Sequence, residues 1–306
     1  MISRYDYHGG VWVDLEQPTE EELHEIIKEF SIGKYVEKEL SSPTPAPLVA
    51  ADAQAILLVL HFPAHGAENG NTDNQEVDFV VGDRFILTIR YEVVAPIYHL
   101  KKLLETQELV GGHDTLTTDV LLEVLFAHLY TSVRDHIDHV ADNLARVERD
   151  MFDGHERATV RLISQISRQF LHVEAALATQ EESLRHFLRE LTDRNFFGRA
   201  FTARTERILA ERAQIAQLIS THRAIATELR ETNIALLEVR QNEIMKTLTV
   251  VTFIFLPLEL ITFVFSMHAL GQPLEQNPNA FWIITGSMLA VGAVITAFVA
   301  RKRWIF

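Results

Sequence analysis

Glu259 is the first residue whose surroundings demand chemistry. It lies inside Leu248–Met267, a mostly apolar run of 20 residues, two positions after Pro257. A charge near the centre of a bilayer costs about 2.5–3.5 kcal/mol even on insertion scales, so an acid there points to an ion or proton path. The alternative is a protonated Glu259 paired with a neighbouring helix. At alternating three- and four-residue steps, Asn242, Met245, Thr249, Thr252, Leu256 and Glu259 fall on one helical face. Polar and apolar groups mix on that face, so it should meet protein or water instead of lipid. A pore built from several copies would satisfy it.

Two further groups carry charge at suggestive spacing. Asp135, Asp138, His139 and Asp142 lie on one side of a long helical segment. Carboxylates and an imidazole so placed could hold a regulatory divalent cation, although a solvated acidic face gives the same pattern. Other histidines, His61, His65, His128, His136 and His172, are scattered through the same half of the chain. At the far end, Arg301, Lys302 and Arg303 form a basic cluster.

These residues need elements to position them. Between Lys246 and Arg301 only two of 54 residues are charged. Leu248–Met267 and Ala280–Ala300 each match the roughly 20 residues that cross about 30 Å of hydrocarbon as a helix. Arg240 and Lys246 precede the first span and Arg301–Arg303 follow the second, whereas His268–Asn279 has no Lys or Arg. The positive-inside rule then places both termini in the cytoplasm of a multi-pass plasma (inner) membrane protein. The opening MISRYDYHGG has neither a signal-peptide pattern nor an Arg-rich transit pattern.

Composition divides at the same place. The chain has 306 residues, 42 acidic and 28 basic, for a formal net charge of −14. Residues 1–250 hold 40 of the acids and 25 of the bases (25 − 40 = −15), and residues 251–306 hold two acids and three bases (3 − 2 = +1). Such acidity argues against a nucleic-acid partner, since neutralising phosphates takes a surplus of Lys and Arg. With no cysteine, disulfides, thiolate catalysis and zinc ribbons are excluded. The acidic body would also draw cations toward a pore.

No proline occurs from Leu116 to Leu248. Helices are expected over 116–152, 157–192 and 201–267, broken near Asp153-Gly154 and Asn195–Gly198. Tyr130, Val133, Ile137, Val140, Leu144, Val147 and Met151 make a three-four seam in the first. The last repeats Ile208, Ile215, His222, Leu229 and Leu236 at seven-residue steps and runs on into the first span without a breaker. At about 1.5 Å per residue it would reach roughly 100 Å, too long to bury its stripe alone. Ahead of the helices, Trp12–Leu15 is strand-like, Thr19 with Glu22 makes a capping box for a helix through Phe30, and Ser41–Pro47 is a loop. Ala55–Phe62, Val77–Val81 and Phe85–Tyr91 are apolar, β-branched runs between polar turns. They suggest a small α/β domain without a phosphate loop or dinucleotide fingerprint.

The run from Asn242-Glu-Ile-Met-Lys-Thr-Leu-Thr to Phe-Leu-Pro257-Leu resembles the pore helix of CorA-type divalent-cation transporters, and so do Trp12-Val-Asp-Leu, Leu87-Thr-Ile-Arg90 and the basic ending. The resemblance spans nearly the whole chain in order. It implies an α+β membrane protein and a homopentamer: a cytoplasmic α/β domain (1–112), a helical hairpin (113–200), a stalk helix (201–247), a pore-lining span (248–267), an external loop (268–279), a second span (280–300) and a basic tail (301–306). By position, Asn242, Met245, Leu248, Thr249, Thr252 and Leu256 would line or gate the pore, with Glu259 where the family often has threonine.

One motif departs from the family. Its outer-mouth Gly-Met-Asn is Ser266-Met267-His268 here. Mg²⁺ dehydrates reluctantly and prefers oxygen ligands, whereas imidazole suits Zn²⁺, Co²⁺ or Ni²⁺. A softer ion, moved with or without protons, is therefore expected over Mg²⁺. The expected partners are further copies of the chain, the bilayer and the cation, with no cofactor. The competing reading is a membrane-anchored metal sensor or regulatory scaffold that no longer conducts. No catalytic triad, paired-carboxylate loop or nucleotide motif supports an enzyme.

Overall fold

The computed structural model describes residues 1–63, 74–110, 116–267 and 278–301. Its contacts separate into two compact units, Met1–Arg230 and Glu231–Phe306.

The first unit is built on six strands: β1 (Ile2–Tyr7), β2 (Gly10–Glu16), β3 (Leu48–Ala51), β4 (Ile56–Pro63), β5 (Asn74–Val81) and β6 (Phe85–Arg90). They lie in the order β1-β2-β6-β5-β4-β3, antiparallel except where β2 meets β6. A parallel pair needs a crossover. Helices α1 (Glu20–Glu29) and α2 (Lys34–Leu40) lie between β2 and the later strands. The capping box opens α1: Thr19 Oγ1 accepts from Glu22 N at 3.2 Å, and Thr19 N donates to Glu22 Oε2 at 3.0 Å.

Strand alternation gives the sheet two apolar faces. On one, Val13, Leu15, Leu57, Val59, Val80, Leu87 and Ile89 pack with Ile26 and Ile27 of α1 and Val36 and Leu40 of α2. Across the sheet, Phe79 stacks on Phe126 with ring centroids 5.1 Å apart, and Phe62 meets Tyr130 edge-on at 6.0 Å. Those partners belong to α4 (Thr118–Phe152), which follows α3 (Ala95–Val110). The long α5 (Glu156–Asp193) packs against β4 and β3.

Every member of the expected seam from Tyr130 to Met151 is buried. The break after α4 is real, with Gly154 at φ +91°, a left-handed conformation that ends helices without Cβ strain. Helix α6 (Phe201–Ser266) begins in this unit. There Arg204 pairs with Asp119 at 2.7 Å, Arg212 Nη1 donates to Leu177 O at 2.8 Å, and His222 stacks on Phe170 at 5.7 Å. Ile208, Ile215 and Leu229 of the seven-residue repeat are buried.

Four elements were not foreseen: β1, β3, α2 and α3. The first is an edge strand interrupted by Arg4 and Asp6, β3 has only four residues, and α2 buries only Val36 and Leu40. These three are too short or too polar to carry a period of their own, whereas α3 is a 16-residue helix that buries Ile97, Leu100 and Leu104.

The second unit pairs the rest of α6 with α7 (Ala280–Arg301). Both helices contain stretches long and apolar enough to cross a membrane. Thr262 Oγ1 lies 3.8 Å from Met288 Sδ, and a Cβ at Gly292 would sit 3.7 Å from Leu258. Gly292 of α7 thus faces Leu258 of α6 at a distance where even a methyl group would fit.

Candidate functional site

The spanning part of α6 has two unlike sides. Val250 is buried, and Ile254, Pro257, Leu258, Ile261 and Phe265 are half-buried. At about 3.6 residues per turn these six form one stripe. It includes Leu258, which approaches Gly292 of α7. Asn242, Met245, Leu248, Thr249, Thr252, Leu256 and Glu259 are all exposed on this chain and cluster around the opposite side. Thus the packed stripe is entirely apolar, and the open one holds an amide, two hydroxyls and a carboxylate.

The local bonding also orients one of these groups. Thr249 Oγ1 donates to Met245 O at 2.8 Å, so its proton is used within the helix. The oxygen then offers only lone pairs to whatever lies beside the helix, as a hydrated cation requires. Pro257 sits within the same helix and removes one amide donor.

Ser266 closes α6, and Met267 just beyond it is exposed. His268 lies outside the described residues, as do Lys302 and Arg303. Arg301 occupies the last turn of α7, where a cation complements the helix dipole. In the first unit, Asp135, Asp138, His139 and Asp142 are all exposed along α4. Among the described residues, no three His, Asp or Glu side chains of one chain converge to hold a metal.

Two buried charge clusters were missed in the sequence, though acids and an arginine inside apolar runs were a signal. In the first, Arg90 is 1% exposed and forks onto Asp14, with Nε–Oδ1 at 3.2 Å and Nη2–Oδ2 at 2.9 Å. Arg90 Nη2 also reaches Glu16 at 2.6 Å. Trp12 Nε1 donates to Thr88 Oγ1 at 3.0 Å, which donates to Asp14 Oδ1 at 2.8 Å. This network joins β2 to β6.

The second cluster spans β4 and β5. His61 Nε2 lies 2.8 Å from Thr44 O and 3.5 Å from Glu76 Oε2. Thr44 N donates to both oxygens of Glu76, at 3.0 and 2.9 Å. The Glu76 carboxylate and the Thr44 carbonyl hold the His61 imidazolium above its ordinary pKa despite partial burial. Burial works against Glu76, but His61 and Thr44 bring its carboxyl below the usual range. Asp78, two residues on and fully buried, is pushed well upward by burial and by the Glu76 charge.

Comparison with known proteins fits this architecture. Residues 7–302 match the family described as CorA-like Mg²⁺ transporter protein. A relative, the cobalt/magnesium transport protein CorA of Methanocaldococcus jannaschii, is 24% identical over 99% of this chain and 94% of its own. The complete structure of the CorA magnesium transporter from that organism superposes with a TM-score of 0.82, at 20% identity, covering 98% of this chain and 93% of the other. The ZntB cytoplasmic domain from Vibrio parahaemolyticus shares the fold over 76% of this chain and 89% of its own, with a TM-score of 0.60 at 12% identity. With the family match spanning nearly the whole chain, the chain belongs to the CorA family of membrane-embedded divalent-cation transporters.

Proposed function

We propose that the polar side of α6 lines a divalent-cation path formed by several copies of the chain, five by family resemblance. One observation carries this reading: α6 packs an apolar stripe toward α7 and leaves Asn242, Thr249, Thr252 and Glu259 open on the other side. In hydrocarbon the Glu259 carboxyl and the Thr252 hydroxyl would be costly, so water, an ion or another copy is expected to meet this side. Glu259 would act as a fixed charge, and Thr249 and Thr252 as oxygen acceptors for a hydrated cation. Both termini would face the cytoplasm of a plasma (inner) membrane, with Arg301, Lys302 and Arg303 at that surface. Asp135, Asp138, His139 and Asp142 would serve as a regulatory cation site only with ligands from a second copy.

The M. jannaschii relative carries cobalt and magnesium in its name. At the outer mouth, Ser266-Met267-His268 favours a softer ion such as Zn²⁺, Co²⁺ or Ni²⁺ over Mg²⁺, because an imidazole replaces an amide oxygen. The same motif supports a second reading, a metal sensor or regulatory scaffold that does not conduct. Parallel proteoliposome flux of Mg²⁺, Zn²⁺, Co²⁺ and Ni²⁺, with and without a pH gradient, separates the two. Conduction predicts measurable flux of at least one ion, with Glu259→Ala altering it by about tenfold or more (about 1.4 kcal/mol of barrier) while assembly is retained. Flux of no ion would favour the scaffold, and flux unchanged in Glu259→Ala would remove Glu259 from the path.

A further inference from the structure

We infer that Asp78 and Glu76 form a buried proton-binding pair that fastens the Ser41–Pro47 segment to the sheet and releases it as pH rises. The geometry demands a proton there. Both carboxylate oxygens of Asp78 are buried and receive no hydrogen bond from any fixed donor. A buried carboxylate left in that state is strongly unfavourable. Glu76 stands two residues before Asp78 on the same face of β5, close enough for its charge to act on Asp78. The Tyr91 hydroxyl also approaches Asp78, but its proton is donated to Leu40 O at 3.2 Å. A proton on Asp78, donated to Glu76, supplies the missing bond and avoids two adjacent anions.

The surroundings show what this proton controls. Glu76 takes both Thr44 N and Thr44 Oγ1, the latter at 3.2 Å, and His61 Nε2 meets Thr44 O. Thr44 is thereby held at its amide, hydroxyl and carbonyl, all through the acid pair or its histidine. On the far side, Gln180 Nε2 of α5 donates to His61 O at 2.6 Å, which anchors that strand in place. The mobile partner is therefore the segment. It reads Ser-Ser-Pro-Thr-Pro-Ala-Pro and carries no titratable group.

Among the described residues, the ionisable groups facing the pair are few. They are His61 from β4, Glu76 itself, and Tyr91 after β6, whose phenol burial and the Asp78 charge raise. From α2, Val36 and Leu40 turn inward, Lys34 and Lys38 are exposed, and Glu37 and Glu39 are partly exposed. From α1, Ile26 and Ile27 turn inward.

The sign follows from linkage. Asp78 is raised from 3.8 and His61 from 6.5, so the closed form holds protons that an opened form would release. Closure is thus complete at the acid side of those values and weakens as pH climbs through the raised ones. Glu76, lowered from 4.5, acts oppositely and loosens closure only as pH falls through its depressed value. One proton released on opening raises the opening constant about tenfold per pH unit within the window.

The test uses the full-length protein in lipid. Infrared difference spectra of wild type minus Asp78→Asn at neutral pH should show a protonated carboxyl band that shifts in deuterated water. Glu76→Gln, which removes the neighbouring charge, should let that band titrate at lower pH. Amide exchange over residues 41–51, corrected for intrinsic rates, should accelerate with rising pH in wild type and lose the Asp78 part of that rise in Asp78→Asn. If Asp78→Asn does not fold, the protonated carboxyl band is followed in pH-difference spectra of wild type, and its displacement in Glu76→Gln decides alone. No protonated carboxyl assignable to Asp78, or a midpoint unmoved by Glu76→Gln, overturns the proposal. It does not depend on whether the α6 face conducts.

Discussion

The two units of the chain treat their polar groups in opposite ways. In the sheet domain, Arg90 is closed in by Asp14, Glu16, Thr88 and Trp12, and Glu76 by His61 and Thr44. Partners come from the same chain, across strands distant in sequence. In the spanning unit, Asn242, Thr249, Thr252 and Glu259 lie along an open helix face while apolar groups occupy the face toward α7. These clusters of the first unit are thus met within one copy, whereas the polar groups along α6 are not covered within it. The contrast is what the proposed multi-copy path would require: a body that folds on its own contacts and a spanning face left for other copies.

The contrast can be broken at either end. The largest effect is expected at Arg90→Ala, which strands the buried Asp14 carboxylate without its forked partner. Removing one member of a buried pair destabilises by about 3–5 kcal/mol, so the sheet domain should melt far lower or fail to accumulate. Thermal unfolding of the purified full-length protein measures this. A melting temperature near wild type would show that the network is dispensable. Glu259→Gln gives the opposing case: with no ion pair to lose among the described residues, its melting temperature in detergent should stay close to wild type. A loss like that of Arg90→Ala would mean that Glu259 holds the fold instead of serving a path. Thr249→Val is the smallest change. It deletes the outward oxygen acceptor at nearly constant shape and should lower flux by a few-fold, in line with about 0.5–1.5 kcal/mol for one hydrogen bond.

What could be read in the sequence depended on whether a pattern was periodic. The α4 seam from Tyr130 to Met151 is periodic over many turns, and all its members are buried. Thr19 and Glu22 identify a helix start because the capping box is a local reciprocal pair. The polar face of α6 was legible for the same reason, as a three-four stripe running into an apolar helix. Asp78 was not. In Asn74-Gln-Glu-Val-Asp-Phe-Val-Val81 the alternating acids look like the solvent side of a strand. That side of the sheet instead carries Val36 and Leu40 of α2, and Glu76 bonds to Thr44 of the Ser41–Pro47 segment. Neither cover has a pattern of its own: α2 is seven residues long and the segment is three-sevenths proline. Long-range cover of this kind leaves no local trace.

The absence of cysteine from the chain makes the central claim directly testable. Cysteine placed at Thr252 and, separately, at Ile254 puts a thiol on the polar side and on the apolar side of α6, two residues apart. A membrane-impermeant, charged thiol reagent applied during proteoliposome flux should block Thr252→Cys and leave Ile254→Cys conducting. Block of Ile254→Cys with Thr252→Cys unaffected would contradict the assignment of the polar face to the ion path.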